Sequence, residues 1–320
     1  MGLARDMPLR IAVLIPCLNE DAAIGRVVAD FQGALPGASI YVYDNGSTDD
    51  TIAQALAAGA QVRFEPKRGK GNVVRRMFAD VSADVYFLVD GDGTYDPSSA
   101  PRMLAALTES CCDMVNARRV AAKSNAYRPG HSWGNRVLTR MVSWLFGTQI
   151  SDMLSGYRAF SRRFVKSFPA LSVGFEIETE LTVHALELRM AVAEIDAPYF
   201  ARTEGSTSKL STFRDGLRIA LTILKLLRDE RPLSFFGLLG LMLATASVYL
   251  GVGLWITFVE TGLVPKLPSA VLATGLMQSA FLSVACGLIL DTATTGRREM
   301  KRLHYLRFDS VSWPDPSADR

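Results

Sequence analysis

The feature that most constrains this chain is residues 85–97, Val-Tyr-Phe-Leu-Val-Asp-Gly-Asp-Gly-Thr-Tyr-Asp-Pro. Its apolar first half has no period-two alternation, which is typical of a central parallel strand covered on both faces. Asp90 and Asp92 follow directly, one glycine apart. Two carboxylates at this spacing can share one hard cation, which takes water and substrate phosphates as its other ligands. Because open α/β sheets bind ligands outside the carboxyl ends of their strands, the stretch predicts a ligand site. A solvated Asp-Gly turn is the alternative for an isolated pair, so the rest of the chain must decide.

The residues before this stretch alternate between strand and helix patterns. The predicted elements are a strand from residue 10, helix 21–32, strand 39–43, helix 51–58, strand 61–64 and a helix after residue 72. Further strands are predicted at 112–116 and 192–195. The alternation implies an α/β fold with right-handed crossovers and a mostly parallel sheet with helices on both faces. Polar residues that follow the strands should then gather with the carboxylate pair at one edge, namely Asn19, Glu20, Asp44 and Lys70.

Composition excludes several other kinds of site. The chain has 320 residues, a formal charge of +3 and four cysteines, two of them adjacent, so no disulfide framework is indicated. The three histidines are far apart in sequence, and no His/Cys cluster has zinc-ligand spacing. Gly69-Lys70-Gly71 fits neither a P-loop nor a dinucleotide-binding GxGxxG pattern. A basic loop that opens a helix can still hold a phosphate, although a solvated basic turn is the alternative.

Six short motifs occur in a fixed order over roughly residues 10–210. They are Ile15-Pro-Cys-Leu-Asn-Glu20, Asp44-Asn-Gly-Ser-Thr-Asp49, Gly69-Lys-Gly-Asn72, Asp90-Gly-Asp92, Asp152-Met-Leu-Ser-Gly-Tyr-Arg158 and Arg202 with Ser208-Lys209. In this order the chain resembles family 2 glycosyltransferases of the GT-A (Rossmann-like) fold, in particular the polyprenyl-phosphate or dolichyl-phosphate glycosyltransferases. Each motif is weak alone, and the ordered set carries the resemblance.

The resemblance implies a donor site built around the DXD carboxylates. The main chain near Pro16, together with Asn19, Glu20 and Asp44, would hold the nucleotide base and ribose, and Lys70 would lie in the same site. Asp90 would lie near the nucleotide and the sugar. Asp92, with Asp90, would ligate Mg²⁺ or Mn²⁺. A leaving diphosphate develops negative charge, which a cation and Arg or Lys groups can stabilise.

The resemblance also implies an acceptor site. The residues expected to bind the acceptor or its phosphates are Arg118, Arg128, Ser132, Arg158, Arg202, Ser208 and Lys209. For Arg118, Arg202 and Lys209, ordinary surface charge is the alternative. Asp152 is the residue that relatives are described as using for a base. A phosphate monoester has a second pKa of about 6, however, so near neutral pH little proton is left to remove. We therefore expect Asp152 mainly to position a sugar hydroxyl or a phosphate-binding Arg, with proton removal as a minor or low-pH role. Capping of the next turn is the alternative.

The chain after residue 211 has the pattern of a membrane attachment. Residues 212–231 are amphipathic on a helix, with Arg214, Arg218, Lys225 and Arg228 on one stripe. Such a helix fits a membrane interface, and packing on the catalytic domain is the alternative. Two uncharged apolar runs follow at about 234–259 and 268–290, each long enough to span a bilayer and joined by a short loop.

Basic residues lie outside both apolar runs, at positions 228 and 231 before them and 297, 298, 301 and 302 after them. The positive-inside rule then predicts a multi-pass protein of the inner (cytoplasmic) membrane with the catalytic domain and both termini in the cytoplasm. A soluble helical pair is the alternative. The predicted parts are a glycosyltransferase domain 1–210, a juxtamembrane helix 211–232, two transmembrane helices within 233–291 and a basic tail 292–320.

The leading hypothesis is inverting transfer of a hexose from a nucleotide-diphosphate sugar to a polyprenyl phosphate such as undecaprenyl phosphate. UDP-glucose or UDP-N-acetylglucosamine is the favoured donor, and GDP-mannose is the alternative. A processive polysaccharide synthase is disfavoured because the chain has no Gln-x-x-Arg-Trp motif and only two spans. A catalytically inactive membrane scaffold is disfavoured by the intact Asp90, Asp92 and Asp152. The expected partners are the donor, the lipid acceptor and the membrane, without nucleic acid; a homo-oligomer stays open.

Overall fold

The computed structural model describes residues 9–121, 150–174, 176–200, 221, 224, 225 and 227–309. It divides the chain into two compact units, residues 1–216 with 301–320, and residues 217–300. Several sequence predictions lie outside the described residues. They are the acceptor residues Arg128, Ser132, Arg202, Ser208 and Lys209, and most of the predicted amphipathic helix 212–231.

The first unit is built on one seven-stranded sheet of order β3-β2-β1-β4-β6-β5-β7. Its strands are β1 Ile11–Cys17, β2 Ser39–Asp44, β3 Gln61–Phe64, β4 Val85–Leu88, β5 Met114–Ala121, β6 Arg158–Ser161 and β7 Val192–Tyr199. Its helices are α1 Asp21–Ala34, α2 Thr51–Ala57, α3 Lys70–Asp80, α4 Ala100–Glu109, α5 Arg162–Ser167 and α6 Ile177–Glu187. A single 3₁₀ turn, Pro97–Ser99, precedes α4. All strand pairs are parallel except those of β6, which is antiparallel to both β4 and β5.

The central strands β1 and β4 are buried on both faces, as their unbroken apolar sequences predict. In β1, Val13 and Ile15 join the core layer that contains α1. Ala12 and Leu14 join the opposite layer, which contains α3 and α6. Alternate residues of a strand point to opposite faces, so one apolar run supplies both layers. The predicted α/β fold with a mostly parallel sheet is therefore confirmed.

The strand order places the edge of interest at a topological switch point. From β1 the chain moves outward through β2 and β3, then returns to place β4 on the other side of β1. Ligands of such sheets bind in the crevice where the order reverses. The segments that follow β1 and β4 contain Asn19, Glu20, Asp90 and Asp92.

Strand β6 was not predicted, because residues 152–160 have the polar, glycine-containing composition of a loop. The strand has only four residues and begins with an arginine, Arg158. Because β6 is antiparallel to its neighbours, its amino end lies at the edge where β4 and β5 have their carboxyl ends. The segment that precedes it, with Asp152, is thereby brought to the same edge as Asp90 and Asp92.

The second unit consists mainly of two long apolar helices, α7 Pro232–Thr261 and α8 Leu267–Tyr305, the last five residues of α8 belonging to the first unit. Both are long and apolar enough to cross a membrane, and 11% and 22% of their most apolar windows are buried among the described residues. Their contact uses small residues: an added Cβ at Gly240 would lie 3.0 Å from Val284, and Ser247 donates to the carbonyl of Ala273 at 2.6 Å. Close approach through small residues is typical of helices that pair in lipid.

Candidate active site

The loops after β1 and β2 hold each other in place. Asn19 has a left-handed backbone (φ 54°), and its side-chain oxygen accepts the amide hydrogen of Thr48 at 2.8 Å. The buried carboxylate of Asp44 accepts the amide hydrogens of Gly46 and Ser47 at 2.9 and 3.1 Å. Two of the residues predicted to hold the nucleotide are thus positioned by hydrogen bonds within and between the loops.

The other two predicted donor residues of this region lie next to the same loops. Glu20 is half-buried, and its amide donates to the Thr51 hydroxyl at 2.9 Å. Pro16 lies in β1 opposite Tyr43 of β2, one residue before the strand ends. Both are therefore within the segment that surrounds the carboxyl end of β1.

Asn45 shapes the loop that carries Lys70, a role that the sequence did not reveal. Its side-chain nitrogen donates to the carbonyls of Glu65 and Lys67, and its side-chain oxygen accepts the Gly69 amide hydrogen at 2.7 Å. Gly69 has φ +120°, and an added Cβ there would lie 2.3 Å from the carbonyl oxygen of Val173. Only glycine fits this close approach between two backbones. The loop therefore delivers Lys70, the first residue of α3, in a defined position.

Lys70 contacts two carboxylates. Its ammonium donates to Asp90 Oδ1 at 2.5 Å and to Glu178 Oε1 at 2.6 Å. The side chains of Lys70 and Glu178 are 9% and 7% exposed. Burial lowers the pKa of Lys70, but the two carboxylates outweigh burial and raise it overall. Lys70 is thus a firmly protonated cation beside the carboxylate pair.

The carboxylates of Asp90 and Asp92 are held in different ways. The Asp90 carboxylate lies against Gly156, where an added Cβ would be 2.4 Å from Oδ2. Asp92 is 3% exposed, and its Oδ1 accepts the hydroxyl and amide hydrogens of Thr94 at 2.6 and 3.2 Å. The 152–158 motif, through its glycine, therefore meets the DXD motif directly.

The donor set of this pair suits a hard cation. Within the described ranges no group of three or more His, Cys, Asp or Glu side chains gathers as a metal site. Mg²⁺ is commonly bound by one or two carboxylates together with substrate phosphates, and oxygen ligands suit Mg²⁺ and Mn²⁺ alike. Asp90 and Asp92 fit such a cation, whose remaining ligands would come from substrate and water.

Asp152 forms a bidentate ion pair with Arg119, a residue that the sequence analysis did not identify as a site residue. Arg119 Nε and Nη2 donate to the two carboxylate oxygens of Asp152, both at 2.7 Å. Asp152 is 4% exposed. Its loop is held by Glu194, whose carboxylate accepts the amide and hydroxyl hydrogens of Ser151 at 2.9 and 2.6 Å. The Arg119 guanidinium also lies 5.6 Å from the centre of the Tyr199 ring.

The neighbouring Arg118 has a different environment. It pairs with Asp196 of β7 at 2.5 and 2.6 Å, and the two side chains are 46% and 56% exposed. The hydrogen bond from Arg118 holds the pKa of Asp196 below its usual range. An exposed ion pair of this kind contributes little to stability, so Arg118 can exchange its partner easily.

Arg158, which the resemblance assigns to the acceptor site, is fully buried. Its guanidinium donates to the carbonyls of Ser155 and Met153 at 3.0 and 2.6 Å and to the Thr182 hydroxyl at 2.8 Å. Burial lowers the pKa of Arg158 to about 10. Through these contacts Arg158 stabilises the loop that precedes β6. Its side chain is not exposed at the surface.

The structure therefore brings most of the described candidates to one edge. Eight of them lie at or next to the carboxyl ends of β1, β2, β4 and β5 or in the segment before β6. They are Asn19, Glu20, Asp44, Lys70, Asp90, Asp92, Asp152 and Arg118. Arg158 begins β6 at the same edge but is fully buried. Sequence reasoning missed Asn45, Arg119 and Glu178. The only signal for Glu178 was the acidic start of α6, which also fits a favourable interaction with the helix dipole.

Comparison with known proteins shows which family the chain resembles. Residues 12–168 match the model of glycosyl transferase family 2. Glycosyltransferase AglJ of Haloferax volcanii is 32% identical over 304 residues, which cover 93% of this chain and 99% of that protein. A dolichyl-phosphate hexose transferase of the same organism is 27% identical over 221 residues, 69% of this chain and 95% of that protein.

A solved structure shares the fold. Glucosyl-3-phosphoglycerate synthase from Mycobacterium tuberculosis, in complex with Mn²⁺, UDP-glucose and glycerol 3-phosphate, matches with a TM-score of 0.55 and 25% identity. The match covers 68% of this chain and 79% of that one. The resemblance drawn from the six motifs is confirmed: the chain belongs to glycosyltransferase family 2, and it is a glycosyltransferase of the GT-A fold.

Proposed function

We propose that this glycosyltransferase moves a hexose, with inversion at C1, from a nucleotide-diphosphate sugar to a polyprenyl phosphate at a membrane surface. The observation that carries the proposal is the presence, in one chain, of a carboxylate edge suited to a sugar diphosphate and of two long apolar helices whose surfaces are largely uncovered. A water-soluble donor and a lipid acceptor need both features. The names of the relatives agree, since one is a dolichyl-phosphate hexose transferase.

The donor part of the proposal rests on four residues, Lys70, Asp90, Asp92 and Glu178, which we call the donor cluster. Asp90 and Asp92 would hold Mg²⁺ or Mn²⁺, and the metal would supply positive charge to the departing diphosphate. Lys70 adds a fixed ammonium at the same place. UDP-glucose or UDP-N-acetylglucosamine is the favoured donor, with GDP-mannose as the alternative. The solved relative with Mn²⁺ and UDP-glucose supports a uridine nucleotide.

The acceptor part rests on Arg118, Arg119, Asp152 and Asp196, the acceptor cluster. Both oxygens of Asp152 are engaged by Arg119, so this carboxylate is built to orient a guanidinium. We infer that Arg119 meets a phosphate oxygen and that Asp152 acts through it, as expected for an acceptor that is already a dianion near neutral pH. Arg118 would join by leaving its exposed partner Asp196. The predicted acceptor residues outside the described ranges stay predictions.

The membrane part predicts a hairpin formed by α7 and α8, with the catalytic domain and both termini in the cytoplasm. Basic residues cluster outside the apolar windows, whereas Lys266 is the only basic residue in the loop between the two helices. A reporter fused after Arg320 should score as cytoplasmic and one placed at Thr261 as external. Protection of a cysteine at position 261 from an impermeant thiol reagent in intact cells would contradict this topology.

Purified full-length protein in lipid nanodiscs tests the activity. It would be mixed with each of the three candidate donors and undecaprenyl phosphate, and the lipid fraction would be analysed by mass spectrometry. The expected product is a monoglycosylated lipid phosphate whose C1 configuration, read by NMR, is opposite to that of the donor. A long polymer would point to a synthase. The absence of any glycolipid with all donors, while the protein still binds UDP, would reject the proposed acceptor.

A further inference from the structure

The two carboxylates around Lys70 come from distant parts of the chain. Asp90 follows β4, and Glu178 lies in the first turn of α6, more than one hundred residues away from Lys70. Glu178 uses one oxygen for Lys70. Its other oxygen, Oε2, is buried and has no hydrogen-bond partner among the described residues. Since a buried unsatisfied carboxylate oxygen is costly, this placement needs an explanation.

The contact between Lys70 and Glu178 is built into the fold. The nearby Glu180 carboxylate, also in the first turn of α6, accepts the amide hydrogens of residues 171 and 172, both at 2.8 Å. The next residue, Val173, accepts the amide hydrogen of Gly71 at 3.0 Å. An added Cβ at Gly71 would lie 2.2 Å from the carbonyl oxygen of Ser172. The beginnings of α3 and α6 are thereby held together through the 171–173 backbone, so the two side chains meet in a fixed geometry.

The charges of the donor cluster are unbalanced. Asp90 and Glu178 contact the Lys70 ammonium, and Asp92 follows Asp90 by two residues, so these four side chains together carry two net negative charges, which one divalent cation would neutralise. A cation bound to Asp90 would lie near the Lys70 ammonium and repel it. Glu178 gives that ammonium a second contact that does not depend on Asp90.

We propose that Glu178 is a positioning residue that sets the metal affinity of the Asp90/Asp92 pair. It adds negative charge beside the pair and retains the Lys70 ammonium when a divalent cation takes the Asp90 carboxylate. Lys70 acts as a built-in competitor for Asp90, and Glu178 limits that competition. This inference rests on the metal-binding part of the proposed function.

A purely structural role for Glu178 predicts a loss of stability without a change in metal affinity. If Glu178 only neutralised Lys70 and joined α3 to α6, its replacement would lower the melting temperature and leave metal affinity unchanged. Metal affinity is therefore the quantity that separates the two roles. It can be measured without sugar donor, acceptor or turnover.

The experiment measures Mn²⁺ binding by electron paramagnetic resonance. Mn²⁺ is titrated into full-length protein in detergent, with and without UDP, and the signal of free Mn²⁺ is recorded. Four proteins are compared: wild type, Glu178→Gln, Lys70→Met and the double variant. Glu187→Gln is the matched control, because Glu187 is also a buried glutamate of α6 paired with a lysine, Lys301. Thermal melting of each protein reports on the fold.

We expect Glu178→Gln to weaken Mn²⁺ binding about tenfold, the size expected for one charge lost at close range in a protein interior. Lys70→Met should strengthen binding by a similar factor, because it removes the competing cation. The double variant, which restores the wild-type net charge, should return close to wild type. Glu187→Gln should not change Mn²⁺ affinity.

Three results would overturn the inference: Glu178→Gln within twofold of wild type, Lys70→Met binding Mn²⁺ more weakly than wild type in the absence of UDP, or no Mn²⁺ binding by wild type in either condition. If Glu178→Gln melts early, the comparison of Lys70→Met with the double variant gives the contribution of the Glu178 charge alone, in a background without the ion pair, and this contribution should still weaken Mn²⁺ binding when it is removed. Failure of the proposed function is recognised separately, because a wild type that binds Mn²⁺ as expected but forms no glycolipid rejects the acceptor and leaves the role of Glu178 standing.

Discussion

The donor and acceptor clusters lie on the same edge of one sheet, yet they differ in charge and burial. In the donor cluster, carboxylates outnumber the single ammonium, and Lys70, Asp92 and Glu178 are buried. In the acceptor cluster, two guanidiniums match two carboxylates, and the pair Arg118–Asp196 is about half exposed. The donor side is thus short of a cation, whereas the acceptor side offers cations that can change partners. The proposed function accordingly places a metal on the donor side and a phosphate on the acceptor side.

Among the tests of this contrast, the largest effect is expected for Asp92→Asn, which removes a charge on the donor side and keeps the side-chain shape. Because the proposed metal would supply several kcal/mol to the departing diphosphate, we expect the rate of glycolipid formation to fall roughly 10³-fold or more. Excess Mn²⁺ should restore part of the activity. Asp80→Asn is the control, since Asp80 forms a surface pair with Arg76 at the far end of α3. Wild-type rates for Asp92→Asn in EDTA would show that the carboxylate pair is only a turn.

The next test concerns the acceptor side and the role of Asp152. If Asp152 orients Arg119, then Asp152→Asn and Arg119→Lys should each lower the rate roughly 10²-fold, the cost of a misplaced reacting group. The double variant should be little worse than either single one, because the two residues act as a unit. The loss from Asp152→Asn should be similar at pH 6 and pH 8.5.

The pH comparison decides between positioning and base catalysis. The second pKa of a phosphate monoester is about 6, so the acceptor is almost entirely a dianion at pH 8.5. A base would matter less there, and the defect of Asp152→Asn would shrink sharply. Such a result would favour the base assignment, whereas no defect at either pH would leave Asp152 with turn capping only. Arg76→Lys, on the surface of α3, serves as the control for the arginine substitution.

The two clusters were predictable from sequence to different degrees, for a physical reason. Asp90, Asp92, Asn19 and Asp44 each end or closely follow an apolar strand, so the rule about carboxyl ends of parallel strands located them. Arg119 acquires its role only through Asp152, which the unpredicted antiparallel strand β6 brings to the edge. A short polar segment that becomes a strand by pairing with two neighbours leaves no periodic signal of its own.

Glu178 shows a second limit of sequence reasoning. Three glutamates alternate at positions 176, 178 and 180, and the pattern favours no one of them. In the structure Glu178 meets Lys70, whereas Glu180 accepts two backbone amides of the 171–172 segment. Side-chain direction near a helix start depends on what packs against it, and here the partner is a loop from a much earlier part of the chain. Local spacing could not provide that information.

A smaller effect on rate but a large one on stability is expected at Arg158. Arg158→Met leaves the carbonyls of Ser155 and Met153 without donors, at a cost of about 2–6 kcal/mol, since each buried unsatisfied group costs about 1–3 kcal/mol. The melting temperature of the full-length protein should fall by about 4–24 °C. The KM for the lipid phosphate should change less than the stability does. An unchanged melting temperature with a strongly raised KM would instead identify Arg158 as a ligand of the acceptor.

The smallest expected effect tests how freely Arg118 changes partners. Asp196→Asn removes an exposed carboxylate, and such pairs are worth about 0–1 kcal/mol, so the melting temperature should stay within about 2 °C of wild type. If Arg118 binds the acceptor phosphate as proposed, it then has no competing ion pair with Asp196. The KM for the lipid phosphate should therefore fall about twofold while kcat is unchanged, because the loss of a screened surface pair typically releases a few tenths of a kcal/mol for binding. The gain should shrink as salt is added, since salt weakens the competing ion pair in the wild type. A rise in KM would mean that Asp196 holds Arg118 in its binding position, and the acceptor side would then be as firmly organised as the donor side.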